Sequence, residues 1–385
     1  MTLSSVNNTP LRPFEPMVLD CLGEISTAIL KSPVGRQFPD LTAFAFYIRK
    51  ANLQKLASNL SPDEIRLGRG LCFHIAPANI PINFAFTWVF SLLAGNANVV
   101  RLPSKDFPQV DALLGIINSM LKKYPELQER NAFVKYPRTD NETTAAYCQM
   151  ADCRMIWGGD RTIAAVKSLP TRPRCVDIAF ADRYSVALIN AEAILKANDD
   201  HIARLAQDFY NDTYLMDQNA CSSPQVIVWE GEKVAEAQER FWSAVEGVAK
   251  AKYVLQDAVA VDKYTLFCEE TVGNENIQSV TRKGNLLYRL ELKSFSSDVI
   301  SHRGKAGFFF EYVLKSRDEL FKIVTEKFQT ITQFGIDVDS LRRQIAEYHL
   351  RGVDRIVPIG KAMDIGVFWD GHDLIRELSR VVALT

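Results

Sequence analysis

From Leu71 onward the chain alternates short apolar runs with longer stretches whose apolar residues recur every three or four positions. The short runs are typical of buried strands, and the longer stretches are typical of amphipathic helices. The pattern predicts strands at 71–76, 98–102, 132–134, 154–157 and 175–180, and helices at 82–94, 110–121, 143–150 and 161–168. Gly95 follows the last apolar turn of its helix, where a left-handed residue commonly ends a helix. Such alternation predicts a parallel sheet with helices on both faces.

A second α/β series follows the first. Its predicted strands lie at 185–189, 226–230, 307–314 and 330–334, and its predicted helices lie at 202–210, 233–249 and 341–348. The 385 residues also exceed the length that one hydrophobic core usually serves. We therefore expect an α/β protein with two doubly wound parallel-sheet domains, at 1–183 (with a helical N-terminal region) and 184–350. A Gly- and Pro-punctuated segment, 351–385, is expected to return to the first domain.

The composition is that of an ordinary globular enzyme, with 47% apolar residues, 24% charged residues and a net charge of −1. This charge gives no support for nucleic acid or an anionic membrane as the main partner. The longest apolar run, 80–94, is shorter than the roughly 20 residues that span a bilayer, and Asn83, Thr87 and Ser91 form a polar stripe along it. No membrane span is expected. The N-terminus shows no secretory signal pattern, so the cytoplasm is the predicted location.

The seven cysteines lack CxxC spacing and the five histidines are scattered, so neither a disulfide framework nor a metal site is expected. His74 and Trp157 lie on predicted strands and are interpreted as interior residues. The aromatic residues at 84–88 and 308–310 could line an acyl tunnel, but aromatic runs of this kind belong to cores far more often.

Cys221 lies in the segment Met216–Gln225, between a periodic helix and the β-branched run Val226–Trp229. At such a junction a thiol can reach a cleft, and nearby backbone N–H groups can serve an oxyanion. On this stretch alone, the more common role of an unpaired cysteine is that of a small buried hydrophobe.

Three loops follow the carboxyl ends of predicted strands, where parallel sheets bind ligands. They are rich in Pro, Gly, Ser and Asn and span 76–79, 102–105 and 157–161. Gly158 and Gly159 either let a backbone approach a cofactor or form a simple turn with Asp160 as the helix N-cap. Because Asp160 would repel a phosphate at that helix start, a dinucleotide is not expected to seat its pyrophosphate there in the usual Rossmann manner.

Three segments, in order and at suitable distances, resemble the aldehyde dehydrogenase superfamily. Ile75–Pro81 is similar to its Pro-x-Asn-x-Pro loop, Ala94–Lys105 is similar to its next strand and Pro-Ser cofactor loop, and Cys221 falls at the nucleophile's place. Within the superfamily the chain most resembles acyl-CoA reductases of the bacterial luminescence type, the LuxC-like proteins. The segments that carry this likeness are Asp217–Gln225, Gly352–Ala362 and Phe368–Leu374.

This resemblance implies an aldehyde dehydrogenase-like fold, with a dinucleotide-binding first domain, a catalytic second domain and the active site between them. It implies Cys221 as the nucleophile and Asn79 as a holder of the oxyanion, whereas Asn79 alone would be a turn residue bonded to its own backbone. NADPH is the expected cofactor, and no metal is expected. The implied cofactor-binding residues are Ala76, Pro77, Arg101, Pro103, Ser104, Lys105, Gly158, Gly159 and Asp160, of which Arg101, Ser104 and Lys105 are candidates for the adenosine end.

One departure from ordinary aldehyde dehydrogenases concerns water activation. Those hydrolytic enzymes carry a Glu-Leu-Gly-Gly segment whose glutamate activates water, and the corresponding stretch here, Ala179–Asp182, has no carboxylate at that place. Asp182, three residues on, is not expected to replace it.

The resemblance therefore implies NADPH-dependent reduction of an acyl thioester to an aldehyde through an acyl-cysteine. The acyl group is expected on coenzyme A or on a protein, with an acyl-protein synthetase as a candidate partner and a homo-oligomer as the assembly. Two alternatives remain open. One is a cysteine-dependent acyltransferase or thioesterase without redox chemistry, and the other is a non-catalytic acyl-binding subunit.

Overall fold

The computed structural model describes residues 6–61, 63–77 and 80–384. Backbone contacts divide the chain into two compact units. Unit 1 comprises Met1–Ala181 and Gly366–Thr385, and unit 2 comprises Asp182–Ile365. Each unit contains one large sheet.

Unit 1 begins with helices and continues into a parallel sheet. Its first elements are α1 (Pro16–Lys31), α2 (Pro33–Gln37), α3 (Pro39–Tyr47), α4 (Lys50–Ala57) and the short strand β1 (Arg66–Gly68). The sheet contains β2 (Leu71–Ile75), β3 (Ala97–Arg101), β4 (Asn131–Val134), β5 (Cys153–Trp157) and β6 (Val176–Phe180), in the spatial order β4-β3-β2-β5-β6. The connecting helices are α5 (Asn83–Leu93), α6 (Pro108–Leu121), α7 (Pro125–Gln128), α8 (Asn141–Met150) and α9 (Asp160–Lys167). Every strand and helix predicted in this series is present, with ends that differ by one or two residues.

Helix α5 places its polar residues inside unit 1. Thr87 Oγ1 lies 2.9 Å from His74 Nδ1, and His74 Nε2 lies 3.0 Å from Asn98 Oδ1. Trp88 Nε1 donates to Asn131 Oδ1 at 2.7 Å. The interior role predicted for His74 is confirmed. Within the described ranges, no helix has the length and apolar character needed to cross a membrane.

The strands β2, β3 and β5 end at one edge of this sheet, because Ile75 pairs with Arg101 on one side and Ile156 on the other. The predicted ligand loops therefore leave the sheet together, at the edge where parallel sheets bind small molecules. Gly95 ends α5 with a φ of +91°, and a Cβ there would lie 2.2 Å from the Leu11 carbonyl oxygen. The predicted helix stop thus requires glycine for both its conformation and its space.

Unit 2 is built on a seven-stranded sheet with the order β13-β12-β7-β8-β11-β10-β9. Its strands are β7 (Tyr184–Asn190), β8 (Pro224–Glu230), β9 (Ile277–Lys283), β10 (Leu287–Leu292), β11 (Phe308–Val313), β12 (Phe328–Phe334) and β13 (Arg355–Pro358). Its helices are α10 (Ala191–Lys196), α11 (Asp199–Thr213), α12 (Val234–Lys252), α13 (Asp257–Thr271), α14 (Arg317–Ile323) and α15 (Val338–Glu347). The edge strand β9 runs antiparallel to β10, so this sheet is mixed rather than purely parallel.

Apolar side chains cover both faces of the seven-stranded sheet. Phe308 and Phe310 join the core on one face, and Phe309 joins the core on the other. This alternation follows from the two-residue period of a strand. The three phenylalanines are core residues, as the sequence favours.

Several elements of unit 2 escape sequence prediction. Strand β9 exposes most of its side chains, and the one buried residue of α13 is Lys263, so neither shows a clear apolar period. Strand β13 pairs with β12, which keeps residues 351–365 with unit 2. The tail then contributes β14 (Phe368–Trp369), β15 (His372–Asp373), α16 (Leu374–Glu377) and β16 (Ser379–Val381) to unit 1, where β16 pairs with β1.

Lys263 has a buried amine held by backbone carbonyls. Its Nζ donates to the carbonyl oxygens of Ala306 at 2.7 Å and Asn285 at 3.0 Å, and it lies 4.4 Å from the Tyr288 ring centroid. Burial lowers the pKa of this amine to about 7.

We predict that Lys263 makes the stability of the protein depend on pH. The unfolded chain binds more protons than the folded one between pH 7 and the free-lysine pKa of about 10.4, so the free energy of unfolding rises with pH across that window. Lys263→Met should flatten this rise by up to about 1.4 kcal/mol per pH unit in urea titrations at pH 7, 8 and 9. Lys283→Met, at an exposed lysine of β9, should leave the slope unchanged. Parallel slopes for wild type and Lys263→Met would contradict the prediction.

Candidate active site

Cys221 lies in the loop that joins a 3₁₀ turn, Tyr214–Met216, to strand β8. We call residues 217–223 the cysteine loop; its first two residues take left-handed φ values of 50° and 59°. Tyr184 pairs with Phe328, and Ser185 pairs with Pro224, so β7, β8 and β12 begin side by side. The cysteine loop therefore lies at the amino ends of these strands.

Cys221 differs from most of the other cysteines in exposure. It is partly exposed, like Cys175 and Cys268, whereas Cys21, Cys72, Cys148 and Cys153 are buried. Burial raises the pKa of Cys175 to about 11 and that of Cys21 to about 12, which keeps these two thiols protonated at neutral pH. Exposure therefore favours Cys221 as a reactive thiol over the buried cysteines.

Gln218 anchors the beginning of the cysteine loop. Its side chain is buried, and its Oε1 accepts from the backbone N–H groups of Gly307 at 2.8 Å and Phe308 at 3.1 Å. Its Nε2 donates to the Phe308 carbonyl oxygen at 3.0 Å, and Gln225 Nε2 donates to the Gln218 carbonyl oxygen at 3.0 Å. One amide thus ties the loop to the start of β11.

Asp212, near the end of α11, supports the other end of the loop. Ser223 Oγ donates to the Asp212 carbonyl oxygen at 2.7 Å. The Asp212 carboxylate accepts from the backbone N–H groups of Gly360 at 2.6 Å and Ala362 at 2.9 Å. Burial raises the pKa of this carboxyl to about 7. The segment Gly352–Ala362, which carries part of the family resemblance, therefore supports the cysteine loop through Asp212.

Ser185 links Cys221 to the neighbouring strands. Its Oγ donates to the Cys221 carbonyl oxygen at 2.7 Å and accepts from the Thr330 N–H at 3.3 Å. The register shifts on both sides of Ser185, with one extra residue on β8 before Val226 and one on β12 before Ile331. Bulges of this kind re-aim side chains and are common beside active sites.

Sequence reasoning missed Gln329, which contacts the sulfur. Its side chain is fully buried on β12, and its Nε2 donates to Cys221 Sγ at 3.4 Å. The only signal in the sequence is that Gln329 comes directly before a predicted buried strand. Many interior glutamines have the same position, so this signal does not identify a functional residue.

The residues at the end of β2 are described only in part. Ala76 and Pro77 are partly exposed at the predicted edge of the sheet. Asn79 lies outside the described residues, so its role at the oxyanion stays a prediction.

Arg101 ends β3 with a guanidinium that has spare bonding capacity. Its Cζ lies 4.7 Å from the Tyr136 ring centroid, and its buried Nε has no hydrogen-bond partner among the described residues. Pro103 is buried, while Ser104 and Lys105 are exposed. A buried donor without a partner, followed by an exposed cation, fits an anionic or hydroxyl-bearing ligand at this edge.

Gly159, rather than Asp160, is the N-cap of α9, and Asp160 is the first helical residue. The interpretation of Asp160 as the cap is therefore wrong. The φ of Gly159 is −67°, which any residue can adopt, and a Cβ there would meet no described atom within 4 Å. A Cβ on Gly158 would lie 3.2 Å from Thr162. Gly159 therefore leaves open space at the helix start, which fits a close approach by a ligand.

The stretch Ala179–Asp182 corresponds to the segment that carries the water-activating glutamate in hydrolytic aldehyde dehydrogenases. It contains a core residue, Phe180, and an ion-paired residue, Asp182. Phe180 is buried and stacks on Trp157 with ring centroids 3.7 Å apart, which confirms the core interpretation of that tryptophan. In unit 2, Asp182 forms an ion pair with Arg303 at 2.9 Å.

Comparison with known proteins gives one family and one fold. Residues 62–384 match the family model described as acyl-CoA reductase (LuxC). A curated relative, the long-chain acyl-protein thioester reductase of Vibrio harveyi, is 24% identical over 324 residues, which are 82% of this chain. The chain spans 63% of that relative's length.

Solved structures with a similar fold include aldehyde dehydrogenases and a proline utilization A protein. A bifunctional proline utilization A protein has a TM-score of 0.65 at 16% identity, covering 95% of this chain and 42% of that one. An NAD-dependent benzaldehyde dehydrogenase from Corynebacterium glutamicum has a TM-score of 0.60 at 14% identity, covering 95% and 82%. A putative aldehyde dehydrogenase from Burkholderia cenocepacia has a TM-score of 0.60 at 13% identity, covering 95% and 84%. The predicted aldehyde dehydrogenase-like fold is confirmed.

We predict that the Gln218 side chain contributes strongly to stability. Gln218→Leu removes three hydrogen bonds to the backbone of residues 307–308, and the Phe308 N–H keeps its bond to the Lys305 carbonyl oxygen at 3.1 Å. Each buried backbone group left without a partner costs about 1–3 kcal/mol. The free energy of unfolding in urea should fall by at least about 2 kcal/mol. Gln54→Leu, at an exposed glutamine of α4, should change it by less than about 0.5 kcal/mol. Similar losses in both variants would contradict this assignment.

Proposed function

The chain belongs to the acyl-CoA reductase (LuxC) family of enzymes, and on that premise we propose that it reduces an acyl thioester to an aldehyde with NADPH, through an acyl group carried on Cys221. The observation that supports this proposal most directly is the setting of Cys221. The residue is partly exposed, in a loop whose two ends are fixed by buried hydrogen bonds. A nucleophile held in one geometry loses little entropy when it attacks.

In the first step the Cys221 thiolate attacks the acyl carbonyl carbon. A carbon–sulfur bond forms, the bond to the carrier thiol breaks, and the carrier leaves as a thiolate that takes up the proton given up by Cys221. The tetrahedral oxyanion would be held by the Asn79 side-chain amide and the Cys221 backbone N–H, and one such donor is typically worth about 3 kcal/mol of the barrier.

The chain's own residues favour survival of the acyl-cysteine. Residues 179–181, at the place of the water-activating segment, carry no carboxylate, and Asp182 is paired with Arg303. Without a base directed at water, hydrolysis of the thioester is slow. This supports reduction over a thioesterase reaction.

The carboxyl edge of the unit 1 sheet would hold the cofactor. Arg101, Ser104 and Lys105 would bind its adenosine end, with a cation for a 2′-phosphate, while Ala76, Pro77 and Pro103 would line it. Gly158 and Gly159 would let it approach the backbone, and Asp160 would keep a phosphate away from the start of α9. When bound, reduced nicotinamide supplies the hydride that the acyl carbon needs. Cys221 then leaves as a thiolate from the thiohemiacetal, a departure that needs little acid assistance.

The name of the curated relative supports a proposal for the carrier of the acyl group. The Vibrio harveyi protein is a long-chain acyl-protein thioester reductase, and we propose the same substrate class here, with acyl-CoA as the free equivalent. Because the chain spans 63% of that relative, its substrates and any assembly into a homo-oligomer are part of the proposal.

We predict that Cys221 is the site of covalent acylation. Intact-mass spectrometry after treatment with acyl-CoA should show one acyl increment on the wild type, and NADPH should remove it with release of aldehyde. Cys221→Ala should show no increment, because the attacking sulfur is gone. Cys268→Ala, at another partly exposed cysteine of unit 2, should be acylated like the wild type.

Two outcomes would contradict this scheme. Acylation that persists in Cys221→Ala would place the chemistry on another residue. Loss of the acyl increment without oxidation of NADPH would identify an acyltransferase or thioesterase.

We predict that Asn79→Ala slows acylation by about 10²–10³-fold, because one oxyanion donor is lost. The rate of acyl transfer to Cys221 under single-turnover conditions measures this effect. Asn118→Ala, at an exposed position of α6, serves as the control and should react at the wild-type rate. An Asn79→Ala rate within threefold of wild type would exclude the role.

A further inference from the structure

We infer that Gln329 is part of the catalytic machinery and holds the Cys221 sulfur as a thiolate, an inference that rests on the proposed function of Cys221. The carboxamide is fully buried on β12. Its Nε2 donates to Cys221 Sγ at 3.4 Å, within hydrogen-bond range for sulfur. Its Oε1 accepts from Thr330 Oγ1 at 3.4 Å. A thiolate has no proton to donate, so it bonds the carboxamide only through the Nε2 donor.

An irregularity of the sheet brings this side chain to the loop. Strand β12 has one extra residue between Phe328, which pairs with Tyr184, and Ile331, which pairs with Val186. Gln329 lies in this bulge. The Thr330 N–H donates to Ser185 Oγ, which also donates to the Cys221 carbonyl oxygen. The same bulge therefore contacts the cysteine at its backbone and at its sulfur.

The backbone on the far side of β12 holds this bulge in place. The Asp354 N–H donates to the Gln329 carbonyl oxygen at 2.9 Å, and the Val353 N–H donates to the Phe328 carbonyl oxygen at 2.8 Å. The Arg183 guanidinium also donates to the Phe328 carbonyl oxygen, at 2.9 Å, and pairs with the Asp354 carboxylate.

Residues 352–353 adopt a geometry that few residues tolerate. Val353 has a φ of +67°, which is strained for a β-branched residue. A Cβ on Gly352 would lie 2.1 Å from the Thr325 carbonyl oxygen. Strained backbone persists only where its surroundings over-determine it, commonly near functional sites. Here the strained residue Val353 and its neighbour Asp354 donate the hydrogen bonds that hold the start of β12. The first part of the segment Gly352–Ala362 therefore fixes the bulge that contains Gln329.

A neutral amide donor favours the thiolate over the thiol. Hydrogen bonds to charged groups are worth enough to move the ionisation of the bonded group by about 1–2 pH units. The hydrogen bond from Gln329 stabilises the sulfur in two steps, because Cys221 is a thiolate both when it attacks the acyl carbon and when it leaves the thiohemiacetal. The amide does not titrate, so its contribution is constant across the working pH range.

The charged groups on the surrounding elements have other partners. Asp217 pairs with the Tyr253 hydroxyl, Asp354 with Arg183, Asp182 with Arg303, His302 with Glu270, and Asp212 with the backbone of residues 360 and 362. Of these, Asp212 has a pKa that burial raises to about 7, and the hydrogen bond to Glu270 raises the pKa of His302 above its ordinary value. Both titrations are common to wild type and to a Gln329 variant, and the difference between the two profiles isolates the amide.

The test is the pH dependence of iodoacetamide alkylation at Cys221 in the full chain, followed by peptide mass spectrometry. Gln329→Met keeps the length of the side chain and removes the donor. The pH of half-maximal alkylation at Cys221 should rise by about one unit, and the rate at pH 7 should fall about tenfold. Gln329→Glu, nearly identical in shape, should raise that pH further because it places a carboxylate beside the sulfur. It serves as the second variant if Gln329→Met does not fold.

Two controls separate this effect from a general disturbance. Cys268 in the same samples should keep its alkylation profile, and Gln333→Met, the same substitution farther along β12, should leave the Cys221 profile unchanged. Superimposable Cys221 profiles in wild type and either Gln329 variant overturn the inference, and so does an equal shift in Gln333→Met.

Alkylation tests this inference separately from the proposed function, because it needs no acyl substrate or NADPH. A wild type that shows the Gln329-dependent shift but has no reductase activity would contradict the proposed reaction. The inferred contact between Gln329 and the Cys221 sulfur would still be supported.

Discussion

Residues 217–223 turn back on themselves at the amino ends of three strands, where most of their polar backbone has no regular sheet partner. A buried N–H or carbonyl group needs a hydrogen-bond partner, because leaving it without one destabilises the fold by more than a typical hydrogen bond stabilises it. Ser185 Oγ donates to the Cys221 carbonyl oxygen, Gln225 Nε2 donates to the Gln218 carbonyl oxygen, and turns pair several N–H groups of the loop. The Gln218 amide fixes one end of the loop to residues 307–308, and Ser223 Oγ fixes the other end to the Asp212 carbonyl oxygen. The partly exposed thiol depends on this buried polar frame, because without it the loop would have no single conformation to present.

Most of unit 1 follows from local sequence patterns. The apolar period of α5, its glycine stop and the short runs of β2, β3 and β5 each match one element closely, because a parallel sheet buried on both faces leaves strands nearly continuous in apolar residues. The loops after these strands were predictable for the same reason, since topology alone sends them to one edge. In unit 2 the helix before Cys221 and the strand after it were equally clear.

The contacts around the sulfur were not predictable in this way. Gln329 reaches Cys221 through two bulges beside Ser185, and a bulge is decided by long-range packing rather than by local periodicity. Strand β9 and helix α13 were missed because an exposed edge strand and a helix with one buried lysine lack an apolar stripe. The role of Gly352–Ala362 needed coordinates as well, since its partners Asp212 and Phe328 are distant in sequence.

The carboxylate of Asp212 meets the N–H groups of Gly360 and Ala362 across separations of 148 and 150 residues. During synthesis from the N-terminus, the thiol therefore emerges long before the backbone that completes its support. Loop closure over such a distance is entropically slow, and a nascent chain carries Cys221 without its final geometry. The final geometry around this sulfur is consequently a property of the folded unit rather than of its local segment.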